Sequence, residues 1–561
     1  MFEGVRSEKD VEKLKRHVMR DDVLYADFLA IRDELAHSWS NVIVKRKFTP
    51  PENGERKMPS NAEILLWYKK RVTEGLEDKS EVLEQALKKL KVRSNSGVAV
   101  VSLLTKPYAC PGRCIYCPTE ANMPKSYLSK EPAAARALAN KFDPDKQISS
   151  RLRALEMNGH PIDKVEMIMI GGTWSYYKRD YQDWFTKESF RACNNFHAPE
   201  GALLKEGGLS LEALQKINET APVRIIGLSI ETRPDYVNLE ELNNLRRLGV
   251  TKVEIGVQHL DQYVLDFNRR EMTVEAIAES AELLRNTGLK IVYHMMPNLP
   301  KSNPEMDVQM FKDLFSGKDH HPDMLQVYPC VILKSTLLYK WWSRKELDYQ
   351  PYDDETLTQV LADCEREVPE YVRIIRIIRD IPATYIVASS KKSNLRESVD
   401  EYQAKRGVVQ RDIRAREIRD REVLPDEFEL TQTSYETKTG TEIFLQFENK
   451  KQNSLAAFCR LRLPRWNEIK GFEEHDNLSV LPGKALIREL HTYGRMAKIG
   501  AQGEQSQHMG FGRRLVMEAE RIAKERGYEG VAIIAGVGVR EYYNKKLGYT
   551  LDRTYMVKKF N

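Results

Sequence analysis

The sequence predicts an α/β protein: a parallel sheet or partial (β/α) barrel, a separate α/β domain after it, and a helical, basic N-terminal region before it. Three observations predict this. Strand-like and helix-like runs alternate from about residue 97 to 390. The strand runs are nearly continuous in apolar residues, as strands buried on both faces are. Past residue 430 the pattern changes to a hairpin, further strands of a mostly antiparallel sheet, and a Gly-rich turn that opens a helix. A chain of 561 residues exceeds one hydrophobic core, so several domains are expected. Their boundaries read as 1–90, 91–399, a connector at 400–430, and 431–561.

Taken in order, residues 1–43 read as helix, with Val11, Leu14, Val18, Leu24, Phe28 and Ile31 at three and four spacing. A Pro- and Gly-containing linker at 44–60 precedes further helix at 61–90. Strands are expected at 97–105, 165–172, 223–231, 252–258, 290–297 and 324–330, with helices between them at 211–219, 239–249 and 274–288. The segment 400–430 is dense in charge. In the last domain a hairpin at 428–449 leads to strands at 456–463 and 484–494. A helix at 503–525, a strand at 530–537 and a short helix at 540–547 follow. Polar groups of a parallel barrel gather at the C-terminal ends of its strands.

Charged residues are 30% and apolar residues 41%, a composition that fits a soluble globular protein. The first twenty residues have no apolar h-region and no run is long enough for a membrane span. A cytoplasmic protein is expected. Seven cysteines, three of them within eight residues, are no secreted disulfide framework. They point to a reducing compartment and a metal. The net charge is +6. Between Lys45 and Lys106 there are fourteen Lys or Arg against eight acids, a stretch that would attract a phosphate backbone or serve as a solvated face.

Cys110, Cys114 and Cys117 lie in TKPYACPGRCIYCPTE, directly after a strand. Closely spaced thiolates on a loop suit an iron–sulfur core. Three rather than four leave one iron open, and an open position makes a metal centre catalytic. A structural zinc site would want a fourth ligand, and His160 and Cys193 are both distant in sequence. The C-x3-C-x2-C spacing, with an aromatic residue before the last cysteine, resembles the radical S-adenosylmethionine (SAM) signature. The resemblance implies a [4Fe–4S] cluster that cleaves SAM. Downstream strand ends carry Gly171, Gly172 and Thr173, then Glu231 and Arg233, then Gln258, then His294. The Gly-Gly pair is similar to the element that contacts the methionine amino group in such enzymes. Any one of these polar residues could be structural, but together they favour a ligand pocket.

Near the C-terminus, Gln507, His508, Met509, Gly510, Phe511 and Gly512 form a turn that opens a helix. Amides at a helix N-terminus hold anions, and glycines let a pyrophosphate approach. No Gly-Lys-Ser/Thr follows, which excludes a P-loop. Q-x-x-G-x-G with a later strand and VREYYNKKLGY resembles the acyl-CoA site of the GNAT acetyltransferase fold. Glu489, Leu490 and His491, on the strand before the turn, count with it as candidate cofactor-binding residues. In that fold a tyrosine of the closing helix often faces the thioester. Tyr542 and Tyr543 are adjacent and cannot share one helix face; Tyr543 is favoured. Glu231 and His294 complete the candidate catalytic set.

The two motifs in one chain resemble the catalytic subunit of Elongator, over roughly residues 60–561. SGVAVVSLLTKPYACPGRCIYCP, GGTW, SIETRPD, VEIGVQ, RDIPATYI, IRELHTYG, QHMGFGRRL and YYNKKLGY carry the resemblance in order. The resemblance implies modification of C5 of the wobble uridine, position 34 of the tRNA anticodon. A 5′-deoxyadenosyl radical from SAM takes hydrogen from the methyl of acetyl-CoA, and the carbon radical adds to C5. Thioester hydrolysis then leaves a carboxymethyl group. The basic N-terminal region would hold the anticodon stem-loop. A further zinc site in much of the family uses cysteines; Cys330 fits one position, but Ala415 stands where another cysteine is common, so no zinc is assigned. Rival readings are a protein lysine acetyltransferase with a structural cluster, and a non-catalytic tRNA-binding scaffold. A homodimer and accessory subunits are both compatible with the sequence, and no surface patch argues for the dimer.

Overall fold

The computed structural model describes residues 68–69, 71–76, 78–79, 97–392, 394–418, 425–493 and 510–560. The expected helix 1–43, most of 61–90, most of the basic stretch 45–106, and Gln507, His508 and Met509 lie outside the described residues. Two compact units are present: residues 1–99 with 149–164, and residues 100–148 with 165–561. In the described part of the first, a helical turn at 71–73 ends near Gly75 at φ +70°. The second holds nearly all of both large sheets.

Its first sheet has seven strands: β1 (Ala99–Leu104), β2 (Lys164–Ile170), β3 (Arg224–Thr232), β4 (Lys252–Gln258), β5 (Lys290–Met295), β6 (Met324–Val327) and β8 (Arg373–Arg376), side by side in that order. The pairings β3–β4, β4–β5, β5–β6 and β6–β8 are all parallel. A two-stranded antiparallel pair, β7 (Ile332–Leu333) and β9 (Ile386–Ala388), stands apart. The period of two along each strand divides its side chains. On β2, Val165, Met167 and Met169 are buried while Glu166, Ile168 and Ile170 are only half-buried on the other face. The connecting helices are set by local chemistry. Ser210, Asn238, Thr273, Asn303 and Asp353 each accept a backbone N–H in the first turn of the helix they open, a cap worth about 1 kcal/mol. Strands β8, β7 and β9 are too short for a periodicity signal and escaped the sequence reading.

The second sheet runs β10 (Glu429–Thr437), β11 (Gly440–Asn449), β12 (Ser454–Pro464), β13 (Lys484–Thr492), β14 (Gly530–Ile533), β16 (Tyr555–Lys559) and β15 (Thr550–Asp552) in spatial order. All its pairings are antiparallel except β13–β14, which is parallel. The crossover between those two strands carries the helix Phe511–Glu525. Part of the charge-dense connector is packed: Arg416 is buried and donates to Gln446 of β11 at 3.0 Å.

The N-terminal ends of the barrel strands abut β12 and β13 of the second sheet. Arg488 of β13, fully buried, donates to Asp323 just before β6 at 2.5 and 3.0 Å and to Glu442 of β11 at 2.9 Å. Arg462 of β12 donates to Glu282 at 2.7 Å and Asn286 at 2.6 Å on the helix Val274–Asn286. Arg460 donates to Glu489 at 2.9 Å, and Arg285 to Glu282 at 2.7 Å. Four guanidiniums and four carboxylates are therefore buried together at the junction. Glycine permits close approach beside them: a Cβ on Gly536 would collide with the Ile226 carbonyl of β3. No helix among the described residues is long and apolar enough to cross a membrane.

Removing one partner of such a network strands a buried charge. Arg488→Met is expected to cost ~3–5 kcal/mol, read in urea unfolding as a lower midpoint for both sheets together. Burial opposes ionisation of Glu282, but Arg285 and Arg462 hold its carboxyl down to about 2 from an ordinary 4.5. Its contribution is complete above 4.5 and is lost as pH falls through about 2. Acid titration of Glu282→Gln should show a shallower loss of stability in that window than the parent.

Candidate functional site

The backbone leaves β1 through Thr105, whose N–H donates to Ile170 at 3.0 Å, and enters the cysteine loop. Ile115, buried completely, pins that loop. Its N–H donates to Asn268, and its carbonyl accepts from Leu338 at 2.8 Å. Cys110, Cys114 and Cys117 stay half-buried and free of disulfides. Burial and the two other thiols push the Cys117 thiol up to about 12. Three thiolates thus need a positive core or cationic neighbours. The neighbours are present. Arg270 Nη1 lies 3.7 Å from Cys114 Sγ. Arg233 is gripped by Asp235 at 2.8 and 2.9 Å, and its buried Nη1 has no hydrogen-bond partner. That Nη1 is 2.5 Å from where a Cβ on Gly112 would stand, so a side chain there would push the guanidinium aside.

Among the described residues, only Glu231, Glu254 and His294 form a group of three whose ligand atoms lie within 4.8 Å of one another. Cys110, Cys114 and Cys117 share one loop with Arg233 and Arg270 beside it, a donor set of three thiolates with cationic neighbours that suits an iron–sulfur group.

The predicted rim residues converge around this loop. Gly171 has φ +143°, and a Cβ there would collide with Thr105 Oγ1. Gly172 has φ +99°, and Thr173 Oγ1 is 3.9 Å from Cys110 Sγ. Gly171 N–H donates to Glu231 Oε2 at 3.3 Å, and Tyr127 OH donates to the same oxygen at 2.6 Å. Burial raises the Glu231 carboxyl. His294 Nε2 lies 3.3 Å from Glu254, which also accepts from Gln326 at 2.6 Å and Ser229 at 2.8 Å. Gln258 ends β4 at φ +77° and accepts from Met296 N–H at 2.8 Å. Sequence reasoning missed Tyr127, Glu254, Arg270 and Gln326. Glu254 carried a usable signal, since a lone carboxylate inside an apolar parallel strand is buried at a cost unless it is paired. Cys330 and Cys364 are core residues, the latter 3.6 Å from the Asp307 carbonyl.

In the second sheet, β13 and β14 pair only from Lys484–Gly530 to Ile487–Ile533. Beyond Ile487, β13 bulges at Arg488 and continues against β12 alone. Two parallel strands that part company leave a wedge. Glu489, Leu490 and His491 lie on its β13 side. Gly510, at φ +72°, caps the helix Phe511–Glu525. The place of a Cβ on Gly512 is 3.5 Å from both Thr492 Cγ2 and Tyr542 OH and 3.9 Å from Leu490 Cδ2. The Tyr542 hydroxyl thus faces the helix start. Tyr543 is buried, with Tyr549 at 6.4 Å, and Glu489 and Cys459 act on its phenol. Phe511 stacks on Phe447 at 4.4 Å, so only its backbone is free for a ligand. His491 stacks on Phe458 at 5.6 Å.

Comparison with known proteins gives the family. The Radical SAM superfamily model matches residues 105–314, and the Radical_SAM C-terminal domain model matches 322–405. A tRNA uridine(34) acetyltransferase of Methanocaldococcus jannaschii is 41% identical over 515 residues, covering 89% of this chain and 90% of the relative. One from Dehalococcoides mccartyi is 42% identical, covering 84% and 99%. Human Elongator complex protein 3 is 35% identical, covering 85% and 87%. The solved structure of the archaeal Methanocaldococcus infernus Elp3, with its N-terminus deleted, superposes with a TM-score of 0.68 at 39% identity, over 83% of this chain and 99% of that one. With its cation-lined cysteine loop and its wedged second sheet, the chain belongs to the tRNA uridine(34) acetyltransferase and Elongator complex protein 3 family of radical SAM proteins.

Proposed function

We propose that the chain modifies C5 of uridine 34 in tRNA, using SAM at the cysteine loop and acetyl-CoA at the β13–β14 wedge. The observation that carries this reading is that the cysteine loop and the β13–β14 wedge lie in one compact unit, with Glu489 of the wedge 4.0 Å from Lys290 at the start of β5. Cys110, Cys114 and Cys117 would hold a [4Fe–4S] cluster, which would supply the one-electron chemistry that cleaves SAM to a radical able to break a methyl C–H bond. The protein's own groups then orient and shield. Arg233 and Arg270 neutralise thiolate charge at the loop. Gly171 and Gly172 offer backbone to the methionine part of SAM, and Glu231 and Tyr127 hold that turn in place. His294, oriented by Glu254, faces the mouth where an unstacked base would enter. Tyr542 stands at the acyl-CoA turn with Gly512, and Tyr543 is buried beside it. The basic residues between Lys45 and Lys106 would hold the tRNA backbone.

Anaerobically reconstituted protein, given tRNA, acetyl-CoA, SAM and a reductant, should yield a carboxymethyl-type uridine by nucleoside mass spectrometry. Cys114→Ser should abolish it. Acetyl-lysine formed at full rate by that variant, with uridine untouched, would instead establish the lysine acetyltransferase reading. Gly171→Ala introduces both strain and a clash with Thr105. It should weaken SAM binding to reconstituted protein by about tenfold or more, with iron content unchanged.

A further inference from the structure

The lower half of the barrel interior carries ionisable groups that the proposed chemistry does not use. Lys252, at the start of β4, is buried and pairs with Glu166 of β2. Glu166 is held down to about 2 by Lys252. Lys290, at the start of β5, is half-buried and stands 4.0 Å from Glu489 of β13. Glu489 is one of the wedge residues. His491, two residues on, acts electrostatically on Glu166 and on Glu489. Glu254 lies two residues up β4 from Lys252, on the same face, and reaches His294. A file of charged side chains thus runs from the wedge, through the N-terminal end of the barrel, to the chamber under the cysteine loop. At Gly227 of β3 a would-be Cβ stands 3.6 Å from Glu166 Cγ, an ordinary contact.

Such pairs are costly. Each charge loses its hydration, and apolar residues of equal volume would stabilise the barrel as well or better. Burying lysines along one line between two sites is explained if they meet a ligand. An acyl thioester is the ligand whose chemistry fits. Its carbonyl oxygen accepts from ammoniums, its acyl end is small, and its pantetheine arm is long and narrow. We propose that the N-terminal end of the barrel is the acyl entrance: a CoA thioester held in the β13–β14 wedge sends its acyl group past Glu489 and Lys290 into the barrel, where Lys290 and Lys252 take its carbonyl oxygen. This rests on the acyl-CoA reading of the wedge given above. The nucleic acid would enter at the opposite, C-terminal mouth, so the two reactants never compete for one doorway.

The test uses full-length, cluster-free protein and a ketone analogue of acetyl-CoA that cannot be cleaved. Hydrogen–deuterium exchange should show protection at 487–493 and 510–515, at the wedge, and also at 250–256 and 288–294, inside the barrel. Lys290→Gln should keep wedge protection, lose barrel protection, and weaken analogue affinity by about tenfold. Protection of the wedge alone in the parent protein would overturn the acyl entrance while leaving the acyl-CoA reading intact. Unchanged affinity and barrel protection in Lys290→Gln would also overturn it. Failure of the parent protein to bind the analogue would remove the acyl-CoA reading itself.

Discussion

The buried array of Arg285, Arg460, Arg462 and Arg488 against Glu282, Asp323, Glu442 and Glu489 is the constraint on which the rest depends. Charges at near-zero exposure tolerate little displacement, because any shift leaves one of them unpaired in a medium that solvates it poorly. The network therefore sets the position of the second sheet against the barrel. Asp323 shows how the setting propagates. It takes Arg488 from the second sheet and the Ile291 N–H of β5 at 2.8 Å from the first. One carboxylate thus ties a strand carrying wedge residues to a strand carrying His294. Hydrophobic contact alone would hold the two sheets together with less exact register, since it has no direction.

At the other end of the barrel, positive charge and glycine do the corresponding work. Thiolates crowd one another, and Arg233 and Arg270 offset that crowding from below the loop. The nearby glycines are positions where a side chain would push a neighbour aside: Gly112 against Arg233, Gly171 against Thr105. Their positive φ or close packing brings backbone, rather than side chain, to the surface that a cofactor would meet. The carboxylates of this chamber are each given a donor, Tyr127 for Glu231 and Gln326 for Glu254. They are thereby held as oriented acceptors.

Much of this was legible before any coordinates. Cys110, Cys114 and Cys117 declare themselves because local spacing on one loop is a one-dimensional property. So do the strand-end residues Gly171, Glu231, Gln258 and His294, once the alternation of strands and helices assigns them to one rim. Arg270 and Tyr127 were invisible for the opposite reason. Their partners, Cys114 and Glu231, lie 156 and 104 residues away, and no periodicity links them. The tyrosine pair shows the same limit. Adjacency establishes that Tyr542 and Tyr543 point apart, but only packing shows that Tyr542 faces Gly512 while Tyr543 is buried.

The sequence by itself determined the order of elements, the parallel barrel, the cysteine loop and the glycine turn, all of which depend on neighbours within a few residues. The tertiary structure alone decided which end of the barrel the second sheet closes, and hence that Glu489 stands beside Lys290. That choice is made by long-range pairing of buried charges. Its free energy comes from contacts between residues such as Asp323 and Arg488, 165 positions apart, which the chain brings together only when folded.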